Sequence, residues 1–196
     1  MFAVAKKSGI RLVINLDELN AVAIQDSALP PNVNEFAESF LGHSIFGLLD
    51  LFLGFDVRWV APCSHPLQAF HTPLGACQQT TLVQGYTNSV QEFQRCVQHA
   101  LKSVSDYADN FIDDCGVKGS RLRYNNELIS TNSQIQHFVW EYAHNLDLVL
   151  GAMIEAGIMA SGLKAILAAS QSCIVGTIVS LDVHQSQNRS QKYAAF

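Results

Sequence analysis

Residues 107–119 read YADNFIDDCGVKG, and two adjacent aspartates, Asp113 and Asp114, follow the apolar Phe111 and Ile112 and precede Cys115, Gly116 and Val117. Adjacent carboxylates repel one another, and an apolar strand is an unfavourable place for ionised groups. We predict a strand, a tight turn near the aspartate pair and a second strand, CGVKG. Another carboxylate, Asp50, interrupts a similar apolar run, HSIFGLLDLFLGF, at residues 43–55.

These three aspartates form a metal site if the strands that carry them are neighbours. Convergent carboxylates need cations to neutralise them, and hard oxygen ligands suit Mg²⁺. Two such ions about 3.5–4 Å apart can stabilise both the attacking and the leaving oxygen of a phosphoryl transfer. Aspartates are also common in solvated turns, so the spacing alone leaves both interpretations open.

Length and composition predict one globular domain, with or without a small lobe. The chain has 196 residues, of which 48% are hydrophobic. Its net charge of -5, from 12 Lys+Arg and 17 Asp+Glu, argues against a dedicated nucleic-acid-binding module but not against an enzyme with few local cations. Five cysteines without a CxxC pair indicate a reduced, intracellular compartment.

The order of elements predicts an α+β domain with helices on one face of an antiparallel sheet. Alternation in IRLVINL, residues 10–16, predicts a strand, and residues 67–85 predict two strands around a turn at Pro73–Gly75. Helical periodicity predicts helices near residues 90–104 and 138–153, the first with a capping box at Ser89 and Glu92. The uncharged segment 165–181 is too short to span a membrane, so we expect no membrane association. We predict that it forms two buried strands around SQS.

Four blocks occur in the order found in reverse transcriptases: KKSGIRLVINLDELNAV (6–22), GLLDLFLGF (47–55), TPLGACQQTTLVQGYTNSVQEFQ (72–94) and FIDDCGVKG (111–119). They resemble most the blocks of gypsy-type LTR retrotransposons, over about residues 4–179. The resemblance implies the fingers and palm of a right-hand polymerase, with an antiparallel palm sheet backed by helices. We expect a reverse transcriptase-like domain at residues 1–182, with fingers at about 1–42 and 60–86 and palm elsewhere, followed by a polar tail at 183–196.

The same resemblance implies a role for each matching residue. Asp50 matches the first catalytic aspartate, and Asp113 and Asp114 match the pair of the Y-x-D-D signature. In the family these three hold two Mg²⁺ ions, for which Mn²⁺ can substitute, and the ions activate the primer 3′-hydroxyl and stabilise the departing pyrophosphate. Phe55 matches the aromatic steric gate against a ribose 2′-hydroxyl. The other matches lie near the incoming nucleotide: Arg11 with Lys6 or Lys7, and Lys164, at the triphosphate, and Gln84 and Gly85 beside the nucleotide and template.

Several features depart from the family pattern. Val83 replaces a proline, Asn15 an aspartate and Phe111 the more common tyrosine. No thumb, connection, ribonuclease H, protease or integrase region is evident, so we expect a truncated piece of a retrotransposon polyprotein. The expected function is RNA-directed DNA polymerase (a nucleotidyltransferase) acting on template–primer and dNTPs, with other polyprotein domains as further partners. The alternative is a non-catalytic relic that keeps the fold and binds nucleic acid or a protein.

Two other segments leave alternatives open. CSHPLQAFH, residues 63–71, offers Cys and His ligands for zinc but no second ligand pair, which favours ordinary loop and strand residues. GVKGSRLRY, residues 116–124, is either a phosphate-contacting basic patch or a solvated loop. We interpret Cys115 as an apolar filler whose thiol pKa the nearby carboxylates raise.

Overall fold

The computed structural model describes residues 2–6, 9–28, 32–52, 54–181 and 184–186. The strands are β1 (Phe2–Lys6), β2 (Gly9–Val13), β3 (Phe46–Asp50), β4 (Ala69–Thr72), β5 (Gly75–Gln78), β6 (Ala108–Phe111), β7 (Asp114–Lys118), β8 (Leu128–Ile129), β9 (Asn132–Gln136), β10 (Ile166–Ala169), β11 (Gln171–Ile174), β12 (Thr177–Ser180) and β13 (His184–Ser186). The α-helices are α1 (Asp17–Val22), α2 (Val33–Glu38), α3 (Ser89–Ala100) and α4 (His137–Glu155).

These elements belong to two compact units. The first comprises Met1–Pro30 and Leu53–Cys96, and the second comprises Pro31–Phe52 and Val97–Phe196. Helix α3 contributes residues to both units. The boundaries expected for fingers and palm are not tested by this division and stay a prediction.

Two hairpins characterise the first unit. Strands β1 and β2 pair antiparallel, and so do β4 and β5. The β4–β5 turn lies at Pro73–Leu74, and the Thr72 hydroxyl closes it by donating to the Gly75 carbonyl over 2.8 Å. The strands and the turn predicted for residues 67–85 are therefore found in the structure.

An antiparallel sheet with the strand order β10-β3-β7-β6 forms the centre of the second unit. Strand β7 pairs with β3 on one side and with β6 on the other. The β6–β7 turn places Ile112 at φ 55°, a left-handed conformation that is unfavourable for a β-branched residue. The hairpin predicted from YADNFIDDCGVKG thus forms with a strained turn beside the aspartate pair.

Helices pack on both faces of this sheet rather than on the single face that we expected. On one face, Phe36, Ala37 and Phe40 of the α2 region join Phe46 in a buried cluster with the β11–β12 hairpin. Successive strand residues point to opposite faces, and Gly47, next to Phe46, lies against the Tyr142 side chain of α4. The central strands are therefore covered on both sides, which explains their nearly continuous apolar sequence.

Asn32 caps α2, because its side chain accepts a hydrogen bond from the Asn34 amide. The capping box predicted for α3 is wrong: the Ser89 hydroxyl donates to the Val83 carbonyl, and the Glu92 carboxylate pairs with Arg95. The Ser89 side chain is almost completely buried, so it stabilises the loop before the helix instead of the helix end.

Strands β10 and β11 do not form the predicted hairpin. They are separated by Ser170 and belong to different sheets, because β10 pairs with β3 and β11 pairs with β12. The tight turn lies instead at Val175–Gly176. No helix among the described residues is both long and apolar enough to cross a membrane.

Candidate active site

The pairing of β3 with β7 brings two of the three aspartates side by side. Asp50, the last residue of β3, is the cross-strand partner of Asp114, the first residue of β7. Pairing continues one step further, since the Leu51 amide donates to the Asp113 carbonyl over 2.7 Å. The turn that carries Asp113 is therefore anchored to the end of the strand that carries Asp50.

The three carboxylates share one electrostatic environment. Burial raises the pKa of Asp114, and the neighbouring charges of Asp113 and Asp50 raise it further, against a smaller lowering by Lys164. Asp113 is exposed, whereas Asp50 and Asp114 are partly buried. Like charges at neighbouring positions of a sheet destabilise it unless a cation compensates them.

Lys164 supplies one such cation. Its Nζ lies 3.0 Å from each of the two carboxylate oxygens of Asp50. The sequence resemblance placed Lys164 near a triphosphate, and the structure places it on the first of the three aspartates. This contact has no counterpart in any short sequence motif.

A cavity of about 160 Å³ lies beside these groups. Asp50, Asp114 and Lys164 form its charged part. Its apolar part comes from β3, β10 and the β11–β12 hairpin, with the residues Leu48, Ile166, Cys173, Ile174 and Val175. The sequence predicted strands here but did not show that they line the carboxylate site, because β10 pairs with β3, which lies more than a hundred residues earlier in the chain.

The donor chemistry fits a hard divalent cation, since carboxylate oxygens are the ligands that Mg²⁺ prefers. Two of the carboxylates are cross-strand neighbours, and their mutual repulsion favours a bound cation. Within the described residues, however, no group of three or more His, Cys, Asp or Glu side chains is arranged to hold a metal ion. The side chains therefore fit such a cation in donor type, and Lys164 lies against the Asp50 carboxylate in the observed arrangement.

The remaining predicted site residues belong to the first unit. Phe55 packs on Phe93 with ring centroids 4.7 Å apart. Gln84 and Gly85 are exposed, and the Gly85 carbonyl accepts a hydrogen bond from the Asn20 side chain. Arg11 lies in β2 opposite Val4, and Lys7 lies outside the described residues.

Two segments that the sequence left open, the zinc-ligand candidate and the basic segment, have defined side-chain contacts in the structure. His65 forms a hydrogen bond with the Val60 carbonyl through Nε2, at 2.9 Å. In the basic segment, Lys118 lies 3.8 Å from an Asp109 carboxylate oxygen, and the Arg123 guanidinium lies over the Phe138 ring. Both cations thus have intramolecular contacts.

Cys115 is completely buried, and its thiol pKa is raised to about 12, mainly by burial and secondarily by Asp109 and Asp114. The interpretation of Cys115 as an apolar filler with a raised pKa is therefore confirmed. A thiol with this pKa is not a nucleophile near neutral pH.

No protein-family model matches the chain. Among curated proteins, the enzymatic polyprotein of Figwort mosaic virus (strain DxS) is 28% identical over 178 residues, which cover 91% of this chain and 24% of the polyprotein. The enzymatic polyprotein of Cauliflower mosaic virus (strain D/H) is 24% identical over 177 residues. The chain spans about a quarter of the length of these relatives.

Solved structures show the same fold at lower identity. The foamy viral protease-reverse transcriptase dRH in complex with double-stranded DNA matches with a TM-score of 0.80 and 19% identity, over 99% of this chain and 31% of that chain. The foamy viral protease-reverse transcriptase in complex with an RNA/DNA hybrid matches with a TM-score of 0.77 and 18% identity, over 97% of this chain and 23% of that chain. The chain is similar in sequence to viral enzymatic polyproteins and shares its fold with the matching foamy viral reverse transcriptase structures. The predicted α+β fold class is therefore confirmed, whereas the gypsy-type origin and the truncation stay predictions.

Proposed function

We propose that the chain is an RNA-directed DNA polymerase domain that adds dNTPs to a primer by two-metal phosphoryl transfer. The observation that carries the proposal is the cross-strand pairing of Asp50 with Asp114, beside Asp113, in a chain of reverse transcriptase fold. Adjacent carboxylates on a paired strand end are costly for a structural role, and a cation-dependent reaction gives them a purpose.

In this proposal Asp50, Asp113 and Asp114 hold Mg²⁺, with Mn²⁺ as a substitute. The bound ions supply Lewis-acid stabilisation for the attacking primer oxygen and for the departing pyrophosphate. Strand pairing fixes the backbone of all three aspartates before any ion binds, so little rearrangement of the backbone is needed. Lys164 contributes a positive charge at the same cavity.

The substrate-binding residues belong to the same proposal. Arg11 and Lys7 contact the triphosphate, and Phe55 excludes a ribose 2′-hydroxyl. Gln84 and Gly85 pack against the nucleotide and template. The packing of Phe55 against Phe93 supports a gate role, because it limits the freedom of the ring.

We further propose that the chain binds a template–primer duplex in an intracellular compartment and derives from a gypsy-type retrotransposon polyprotein. Two of the matching foamy viral structures are complexes with double-stranded DNA and with an RNA/DNA hybrid. The exposed thiols of Cys63, Cys77 and Cys173 fit a reducing compartment.

The test is primer extension on an RNA template with Mg²⁺ or Mn²⁺. We expect short, weakly processive products, and we expect Asp113→Asn to lower the rate by about 10²–10³-fold or more, because metal ligands contribute several kcal/mol to the transition state. Asp106→Asn removes an exposed carboxylate of the same unit and is the matched control. Activity that survives Asp113→Asn contradicts the assigned site, and processive extension contradicts weak synthesis.

The second candidate function is a non-catalytic relic that retains the fold and binds nucleic acid or a protein. The arrangement of the carboxylates favours this candidate. Asp50 contacts Lys164, and no three carboxylate, His or Cys side chains among the described residues form a group that could hold a metal ion. Thermal unfolding separates the two candidates: a midpoint that neither dNTP with Mg²⁺ nor template–primer raises favours the relic.

A further inference from the structure

We propose that Lys164 is an intramolecular competitor of the metal ion at Asp50. Its ammonium group contacts both oxygens of the Asp50 carboxylate, and it must leave before Asp50 can coordinate a cation through those oxygens. This inference rests on the proposed function, because it concerns the same carboxylate site.

The position of Lys164 is fixed by backbone contacts with Asp50 itself. The Ser161 amide donates to the Asp50 carbonyl over 2.8 Å, and Phe52 and Met159 are also joined through their backbones. A turn follows, in which the Lys164 amide donates to the Ser161 carbonyl, and strand β10 then pairs with β3. Lys164 is therefore held between two segments that are both bonded to β3.

The contact geometry explains why the ammonium and a metal ion compete. An ionised carboxylate offers lone pairs on both oxygens, and Nζ lies at the same distance, 3.0 Å, from each of them. A cation that binds both oxygens occupies this same side of the carboxylate. The positive charges of the ammonium and of the cation also repel each other at this range.

Charge balance explains what Lys164 contributes to the chain when no cation is bound at Asp50. Asp50 and Asp114 are cross-strand partners, and the Lys164 ammonium group lies against the Asp50 carboxylate, where it compensates part of this negative charge. The Lys164 side chain is 66% exposed, so its ion pair is weak enough to be broken when a divalent cation enters. The released ammonium group is then available to an anionic ligand such as a nucleotide phosphate, which couples cation entry to anion binding.

The experiment measures Mn²⁺ binding to the full chain at low ionic strength, without nucleotide or primer, by paramagnetic resonance of free Mn²⁺ and by calorimetry. We expect Lys164→Gln to bind Mn²⁺ about three- to tenfold more tightly than the unmodified chain, because an exposed ion pair and one repulsive charge are removed. Lys164→Arg retains the charge and should bind like the unmodified chain. Lys102→Gln removes an exposed lysine outside the cavity and should change the affinity less than twofold.

The outcomes separate this inference from the proposed function. Equal affinities for the unmodified chain and Lys164→Gln, together with weaker binding by Asp50→Asn, would falsify the competition and leave the metal site intact. Equal tightening by Lys164→Gln and Lys102→Gln also overturns it, since the effect is then one of net charge. Absence of Mn²⁺ binding in every variant overturns both the competition and the metal site.

A second readout does not depend on saturating the site. Mn²⁺ should raise the thermal midpoint of Lys164→Gln more than that of Lys164→Arg, because tighter binding to the native state gives a larger shift at equal concentration. Equal shifts for these two variants contradict the competition. The arginine variant also shows whether a substitution at this position disturbs folding.

Discussion

At Asp114, burial and the two neighbouring carboxylates of Asp113 and Asp50 all favour the protonated form of the side chain. Its pKa is raised above the ordinary value of 3.8. Protonation of Asp114 is therefore more favourable in the folded state than in the unfolded state. The stability linked to this proton is fully present below the pKa of the unfolded state and is lost as the pH rises through the pKa of the folded state. At neutral pH the metal-free chain carries the cost of the ionised group.

We therefore predict that Asp114→Asn stabilises the metal-free chain near pH 7. The expected gain in the free energy of unfolding is about 0.5 kcal/mol, the typical size of a cross-strand charge effect, and it should disappear near pH 4. Urea unfolding in EDTA at both pH values measures it, with Asp106→Asn as the exposed control. A gain that is the same at both pH values contradicts the electrostatic explanation.

The proximity of Asp50 and Asp114 was predictable only in part: each interrupts an apolar strand pattern in the sequence, whereas the pairing of their two strands is seen only in the structure. The contact of Lys164 with Asp50 was not predictable, since it depends on a turn held by backbone hydrogen bonds rather than on side-chain type. The same limit applies to Ser89, where the motif of a capping box is present but the hydroxyl donates to the Val83 carbonyl and the Ser89 amide donates to the Tyr86 carbonyl.

Among the elements, two glycines in the central strands set how closely the helices approach the sheet. A Cβ at Gly116 would overlap the Phe40 ring on one face, and a Cβ at Gly47 would overlap the Tyr142 hydroxyl on the other. Neither glycine is needed for a left-handed backbone, so their role is the space that they leave. The aromatic side chains of α4 and of the segment after α2 fill that space.

Gly116→Ala should lower the free energy of unfolding by about 1–3 kcal/mol, because the Phe40 ring has to move within a packed core. Combining it with Phe40→Leu should cost less than the sum of the two single substitutions, which a double-mutant cycle measures by urea unfolding.

Gly151→Ala is the matched control for Gly116→Ala, because an added Cβ there meets nothing within 4 Å inside α4. It should stabilise the chain by about 0.5–1 kcal/mol. Additive costs in the Gly116–Phe40 cycle contradict the proposed packing role of Gly116.

Helix α4 was predicted to within about two residues at each end, because its apolar residues recur at helical spacing over five turns. Strands β10 and β11 were predicted as a hairpin, and this was wrong for a physical reason. A short apolar strand specifies no partner by itself, and β3, which pairs with β10, lies far away in the sequence.

At the scale of the whole molecule, both compact units contain cysteines, so thiol labelling can probe the burial of residues in each unit. Cys63, Cys77 and Cys96 belong to the first unit, and Cys115 and Cys173 belong to the second. Cys63, Cys77, Cys96 and Cys115 form no disulfide. Their environments differ enough to give each class of thiol its own rate of alkylation.

We predict three rate classes in the native chain. The exposed Cys63, Cys77 and Cys173 should react fast with iodoacetamide, and Cys96 should react more slowly, since partial burial raises its pKa. Cys115 should stay unlabelled until the chain unfolds, because it is buried and its pKa is about 12. Mass spectrometry of peptides after timed labelling, with and without urea, distinguishes the classes. Fast labelling of Cys115 in the native chain contradicts the buried position of β7. Slow labelling of Cys63 and Cys77 alone contradicts the structure of the first unit and leaves the second unit unaffected.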